Sequence, residues 1–159
     1  MRLLSISLVL FCFCVKAQKH PLAAFDNLVN KTWIVNGTWG NGNPFEQQVT
    51  FSYQLNKTIV VAETQGFVDS ENSKKGQRNF GIRQLNQTDS TISFYEFDVF
   101  GGLTKGEVLT KNQDILYIYQ YGDLTLIDSW TFISLDEYLY KVMTSDSSQT
   151  FLEARAIRQ

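Results

Sequence analysis

From Thr32 to Ile157 the chain runs as about ten short stretches in which apolar and polar residues alternate, each closed by a polar turn. A period of two marks a strand with one buried face. Turns this short join antiparallel neighbours, because a parallel crossover needs a dozen residues or more. The clearest stretch follows Gly40-Asn41-Gly42-Asn43-Pro44: Phe45, Gln47, Val49, Phe51 and Tyr53 alternate with Glu46, Gln48, Thr50 and Ser52. Strands are also predicted from Thr32 through Trp39, and over Thr58 to Gln65, Gln77 to Leu85, Thr91 to Val99, Thr104 to Thr110, Ile115 to Tyr121, Leu124 to Ile133, Glu137 to Thr144 and Thr150 to Ile157. Asp69 to Gly76 is the longest polar break, read as a loop. Ten strands are many for an open twisted sheet, and closure removes the two edges that would pair with other chains. The predicted architecture is all-β, an up-and-down antiparallel barrel of about ten strands, with a two-sheet β-sandwich as the alternative. Ahead of the strands, Leu22, Phe25, Leu28 and Val29 recur three or four apart after His20-Pro21. That spacing predicts a short N-terminal helix with one apolar side, placed to plug one end.

The first residues read differently. Arg2 is followed by an apolar run from Leu3 to Val15, and Val15-Lys16-Ala17 is a small-residue cleavage pattern before Gln18. The expected organisation is a signal peptide over 1–17 and a single domain over 18–159, secreted or delivered to the periplasm. The run is short for a membrane anchor. Cys12 and Cys14, the two cysteines of the chain, lie inside this leader. The exported domain then has no disulfide and no thiolate ligand, and must stand on its core; 43% hydrophobic residues in a chain of 159 supply one. Loss of Arg2 and Lys16 leaves twelve bases against sixteen acids, a formal net charge near −4. Such a balance argues against nucleic acid and anionic membrane as partners and leaves a small molecule as the expected one.

Metal and nucleophilic chemistry are poorly provided for. The sole histidine, His20, stands at the start of the domain, with no cysteine to join it in a zinc site. There is no Gly-x-Ser-x-Gly elbow and no glycine-rich strand-to-helix loop for phosphate. Neither a metal nor a cofactor is expected, and no residue is assigned a catalytic role. What remains is a set of charges among rings. The run Phe94-Tyr95-Glu96-Phe97-Asp98 puts Phe94, Glu96 and Asp98 on one strand face and Tyr95, Phe97 and Val99 on the other. Acids in such a place are costly unless paired. Arg78 and Arg83 bracket the preceding strand, and in an antiparallel pair either arginine could meet a carboxylate across it. Asp128 shares a face with Leu126, Trp130 and Phe132, next to a strand offering Tyr117, Tyr119 and Tyr121. Trp39, Glu63, Arg83, Glu96, Asp98, Tyr117, Tyr119, Asp128 and Trp130 are therefore the candidate ligand-binding residues, the rings packing a ligand's body and the charges orienting its polar end. Ion pairs and aromatic stripes also brace sheets without binding anything, which is the competing structural reading.

A short N-terminal helical turn, a tryptophan inside the first strand, a meander of eight to ten strands and a late arginine together resemble the calycins, the lipocalin and fatty-acid-binding barrels. The wording of the strands is most similar to uncharacterised lipocalin-like proteins exported by bacteria. The resemblance implies a tryptophan at the closed end with an arginine packed across it. Trp33 holds that place by position, although Gly37-Thr38-Trp39 carries the Gly-x-Trp letters deeper in the strand, and Arg155 or Arg158 would be the arginine. Three functions follow from such a barrel: a binding module, a cofactor-free lyase or isomerase, or a scaffold of the envelope. The second resembles the phenolic acid decarboxylases, with Glu96 as base beside Arg83 and Tyr119.

Overall fold

A computed structural model describes residues 20–69 and 71–159. The expected leader over 1–17 lies outside the described residues. Ten antiparallel strands follow one another: β1 (Thr32–Trp39), β2 (Pro44–Gln54), β3 (Ile59–Phe67), β4 (Lys75–Leu85), β5 (Ile92–Asp98), β6 (Leu103–Lys111), β7 (Asp114–Tyr121), β8 (Leu124–Ser134), β9 (Glu137–Thr144) and β10 (Thr150–Arg158). Each pairs with its sequence neighbours, and β10 returns to β1 in a register running from Trp33 opposite Arg158 to Trp39 opposite Leu152. That seam closes the barrel and rules out the two-sheet sandwich. The polar break is shorter than predicted, because Lys75 and Gly76 already pair with Phe67 and Gly66.

The meander puts the turns at 40–43, 68–74, 99–102, 122–123 and 145–149 at one end of the barrel and the remaining turns at the other. Among the described residues, only the second end is plugged. The predicted helix there is a single 3-10 turn, Pro21–Phe25, capped by His20, whose Nδ1 accepts the Leu22 amide at 3.2 Å. The i, i+3 geometry suits so short a piece and still delivers Leu22, Phe25 and Leu28 into the core, all fully buried. Val29 then forms a parallel bridge to Phe51.

Trp33 is the floor of this end. It is 0% exposed, its Nε1 donates to the Leu28 carbonyl at 3.1 Å, and its ring meets Tyr138 edge to face at 5.3 Å. The late arginine implied by the resemblance does not cover it. Arg158 sits opposite Trp33 on the seam, but its guanidinium turns to Asp136 at 2.8 Å, and Arg155 pairs with Glu137 at 3.0 Å. Asp136 of the β8–β9 turn and Glu137, the first residue of β9, hold both guanidiniums at the surface. A lysine stands over the tryptophan instead: Lys31 Nζ lies 6.0 Å from the ring centroid and donates to Asn27 Oδ1 at 2.8 Å.

Candidate functional site

β4 turns Asn79, Gly81 and Arg83 inward and Phe80 and Ile82 outward. Gly81 lies opposite Glu96 of β5, and Arg83 opposite Phe94, so Arg83 reaches Glu96 on the diagonal, over the place where residue 81 would carry a side chain. A Cβ there would stand 2.0 Å from Arg83 Nη1 and 3.0 Å from Glu96 Oε2. The glycine is thus the space in which the ion pair forms. Arg83 Nη2 donates to Glu96 Oε2 and Nε to the Tyr117 hydroxyl, each at 3.1 Å. Asn79 Nδ2 donates to the other carboxylate oxygen, Oε1, at 2.9 Å. The arginine is buried, whereas the Glu96 side chain keeps 29% of its surface and lines the lumen. A charge taken out of water persists when paired and hydrogen-bonded, and this network supplies both conditions.

Across the lumen, Asp128 of β8 is gripped by two tyrosines. Tyr119 of β7 donates to Oδ1 at 2.8 Å and Tyr140 of β9 to Oδ2 at 2.9 Å. The barrel wall surrounds this carboxyl, which still touches the cavity. Burial pushes its pKa up from 3.8 to about 6; the two tyrosine hydrogen bonds pull the other way, Glu96 adds to the rise and Arg83 offsets it. Burial also lifts Tyr117, Tyr119 and Tyr140 above the ordinary phenol range, keeping all three protonated.

This arrangement has a measurable cost. Because the folded pKa lies above the unfolded one, the folded state holds the proton more tightly: the stabilisation is complete below 3.8 and is lost as pH rises through about 6. At pH 7.5 the ionised carboxylate costs roughly 2–3 kcal/mol. Asp128→Asn, with the same shape and no charge, should raise Tm at pH 7.5 by roughly 6 °C, and much less at pH 4. Thermal unfolding at the two pH values checks this; equal Tm values at pH 7.5 would refute a destabilising charge.

Aromatic rings fill in the wall between these groups. Phe94 lies edge-on to Tyr117 at 5.2 Å and to Tyr119 at 5.9 Å. Its ring rests over Gly106 of β6, where a Cβ would come within 2.9 Å of it and 2.0 Å of the Ile118 carbonyl oxygen. Trp130 meets Phe51 at 5.4 Å and Tyr140 at 5.5 Å. Together they enclose a cavity of about 820 Å³, open at the unplugged end between Trp39, Tyr121 and Leu124. Arg78, half-buried at that mouth, donates to the Phe67 carbonyl and stands over the Phe100 ring at 5.1 Å. A second hollow, of about 720 Å³, lies by Asn30–Thr32 and Arg158; it shares Phe51 with the first and holds none of the charged and phenolic groups of the lumen.

The nine candidate residues are distributed unevenly. Arg83, Glu96, Tyr117, Tyr119, Asp128 and Trp130 converge on the cavity, and Trp39, 39% exposed, stands at its mouth. Glu63 points away from it. The residue pairs with Thr50 and Phe80 on the outer face and is exposed, because β3 buries Ala62 and Thr64 instead. Asp98 shares the inward phase of Glu96 but has reached the rim, where its Oδ1 accepts the amides of Phe100 and Gly102, both at 2.8 Å. It caps the β5–β6 turn and does not line the lumen. The other face of β5 is the outside of the barrel, with Phe97 47% exposed beside Phe80. Asn79 and Tyr140 were not among the candidates. Their signal was phase alone, two residues from Gly81 and two from Tyr138, and the position of an amide or phenol along a strand does not say what it faces across a barrel. Among the described residues no three His, Cys, Asp or Glu side chains are grouped as a metal site requires.

No protein-family model matches the chain. Nor does any curated protein sequence. Solved structures do match. The S-type phycobiliprotein lyase CPES from Guillardia theta aligns with a TM-score of 0.51 at 8% identity, over 85% of this chain and 90% of that one. A redesigned β-barrel aligns with a TM-score of 0.48 at 18% identity, over 86% and 95%. Another, solved bound to DFHBI, gives 0.45 at 17% identity, over 83% and 99%. At 8% identity the likeness to the lyase is one of fold alone.

Proposed function

We propose that this chain is an exported, calycin-like binding protein that holds a small, partly apolar molecule inside its barrel. The observation that carries the reading is the cavity of about 820 Å³, walled by rings, crossed by fixed polar groups and open at one end only. Pockets of this size and composition suit ligands of a few hundred daltons, whose affinity comes mainly from apolar burial. A barrel serving only as a scaffold has no use for an ionised carboxylate in its lumen, since apolar filler would be more stable. Secretion or delivery to the periplasm is part of the same proposal and rests on the leader pattern ending at Ala17.

Native mass spectrometry of the protein secreted by its own host tests both parts. The expected mass is that of a chain beginning at Gln18 plus a small-molecule adduct. Ala62 faces the lumen from β3, and Ala62→Trp should put an indole across the cavity and displace the adduct. An adduct that survives in this variant would place the ligand elsewhere, and a bare chain from the host would count against binding.

A second reading has one observation in its favour. A carboxyl with a pKa of about 6 is suited to take and return a proton near neutral pH. The base of a lyase or isomerase would then be Asp128, with Tyr119 and Tyr140 beside it, rather than Glu96.

A further inference from the structure

The donors and acceptors of the lumen are unequally used. Arg83 spends Nε on Tyr117 and Nη2 on Glu96, and its third nitrogen, Nη1, is sealed against Gly81 without an acceptor. Asn79 spends its amide on Glu96. The hydroxyl protons of Tyr119 and Tyr140 are both committed to Asp128. What these groups leave open to the cavity is lone pairs, on two carboxylates and two phenol oxygens. The Tyr117 hydroxyl, which accepts from Arg83, keeps its own proton, and Asn79 Nδ2 and Arg83 Nη2 each keep a second one on the Glu96 side of the lumen. Beside Asp128, where both phenol protons are already taken, an entering polar group must therefore bring a donor.

The charges point the same way. Arg83 is neutralised by Glu96 at 3.1 Å, whereas no lysine, arginine or histidine nitrogen among the described residues lies within 4 Å of Asp128. The other lumen cation, Arg78, stands at the mouth on Phe67 and Phe100. Deep in the cavity, one negative charge faces Tyr119, Tyr140 and Trp130 with no positive partner. A carboxylate ligand that reached Arg83 would have to displace Glu96 and then stand across from Asp128; at the mouth it would meet Arg78 instead, away from the buried carboxyl.

We infer that the cavity selects an organic cation, a protonated amine on an aromatic or aliphatic body, whose N–H groups donate to Asp128 among the rings of Tyr119, Tyr140 and Trp130. Such rings attract a cation through their π faces, and the buried carboxylate supplies the charge-assisted hydrogen bond. The inference deepens the binding reading above and depends on it.

Three probes of one skeleton separate the two: 2-(1-naphthyl)ethylamine, 2-(1-naphthyl)ethanol and 1-naphthylacetate, titrated calorimetrically into the domain 18–159 at pH 7.5. The amine is expected to bind about tenfold or more tighter than the alcohol, the worth of one charge-assisted hydrogen bond, and the acetate weakest. In Asp128→Asn the amine should lose its advantage over the alcohol. If that variant does not fold, the ranking in the unaltered domain decides by itself. Equal affinities, or the acetate binding tightest, would overturn cation selection while leaving the cavity a binding site. Failure of all three to bind would overturn both readings.

Discussion

Trp33→Ala is expected to lower the stability of the barrel by about 4 kcal/mol, in the range measured for removing a fully buried large aromatic. Three losses combine at this position. The cavity left behind opens in the same buried cluster that holds Leu22, Phe25 and Leu28 of the plug, all fully buried like the tryptophan. The edge-to-face contact with Tyr138 at 5.3 Å disappears. The Leu28 carbonyl loses its donor inside the plug, where water does not replace it. In a domain of this size the change corresponds to roughly 10–15 °C in Tm. Trp33→Phe keeps most of the area and loses the hydrogen bond, so it should cost about half as much. Chemical denaturation of the three proteins measures both figures. A cost below about 1.5 kcal/mol for the alanine variant would show that the N-terminal plug unfolds independently of the barrel.

The barrel was legible in the sequence because its physical cause is local. Alternation over Phe45 to Tyr53 fixes one buried face, and turns such as Gly122-Asp123 leave no length for anything but an antiparallel return. The choice of a barrel over a sandwich followed from edge energetics, and the Trp33–Arg158 seam bears it out. The lumen was only half legible. Alternation says that Glu96 and Asp98 share a phase, but not that the strand ends at Asp98; one lines the cavity and the other caps a turn. Phase fails in another way at Glu63, which sits in the β-branched run Ile59-Val60-Val61-Ala62. Such a run suits either face, and Val61 is buried on the outer one. Contacts across the barrel, such as Arg83 to Tyr117 or Tyr140 to Asp128, depend on the stagger of strands that are distant in sequence. No spacing rule reaches them.

Arg83→Met is expected to cost about 3 kcal/mol, and the companion change Glu96→Gln should recover most of it. Removing the guanidinium strands a carboxylate inside the barrel and leaves the Tyr117 hydroxyl without its donor, the kind of loss that costs 3–5 kcal/mol when the remaining charge is sealed in. The lower end applies because Glu96 retains 29% of its side-chain surface and Asn79 still donates to it. In the double variant neither member of the pair leaves a charge behind, so the two single costs should fail to add, with a coupling of about 2 kcal/mol from a double-mutant cycle. Arg83→Lys will not substitute, since one ammonium on a flexible stem cannot span Glu96 and Tyr117 as a planar fork does. Additive single costs would mean that the 3.1 Å pair contributes no mutual stabilisation. If the coupling is found, it also explains the charge balance of the lumen. Arg83 is then bound to Glu96 strongly enough to be unavailable to a ligand, and Asp128 is left as the carboxylate that an incoming cation meets.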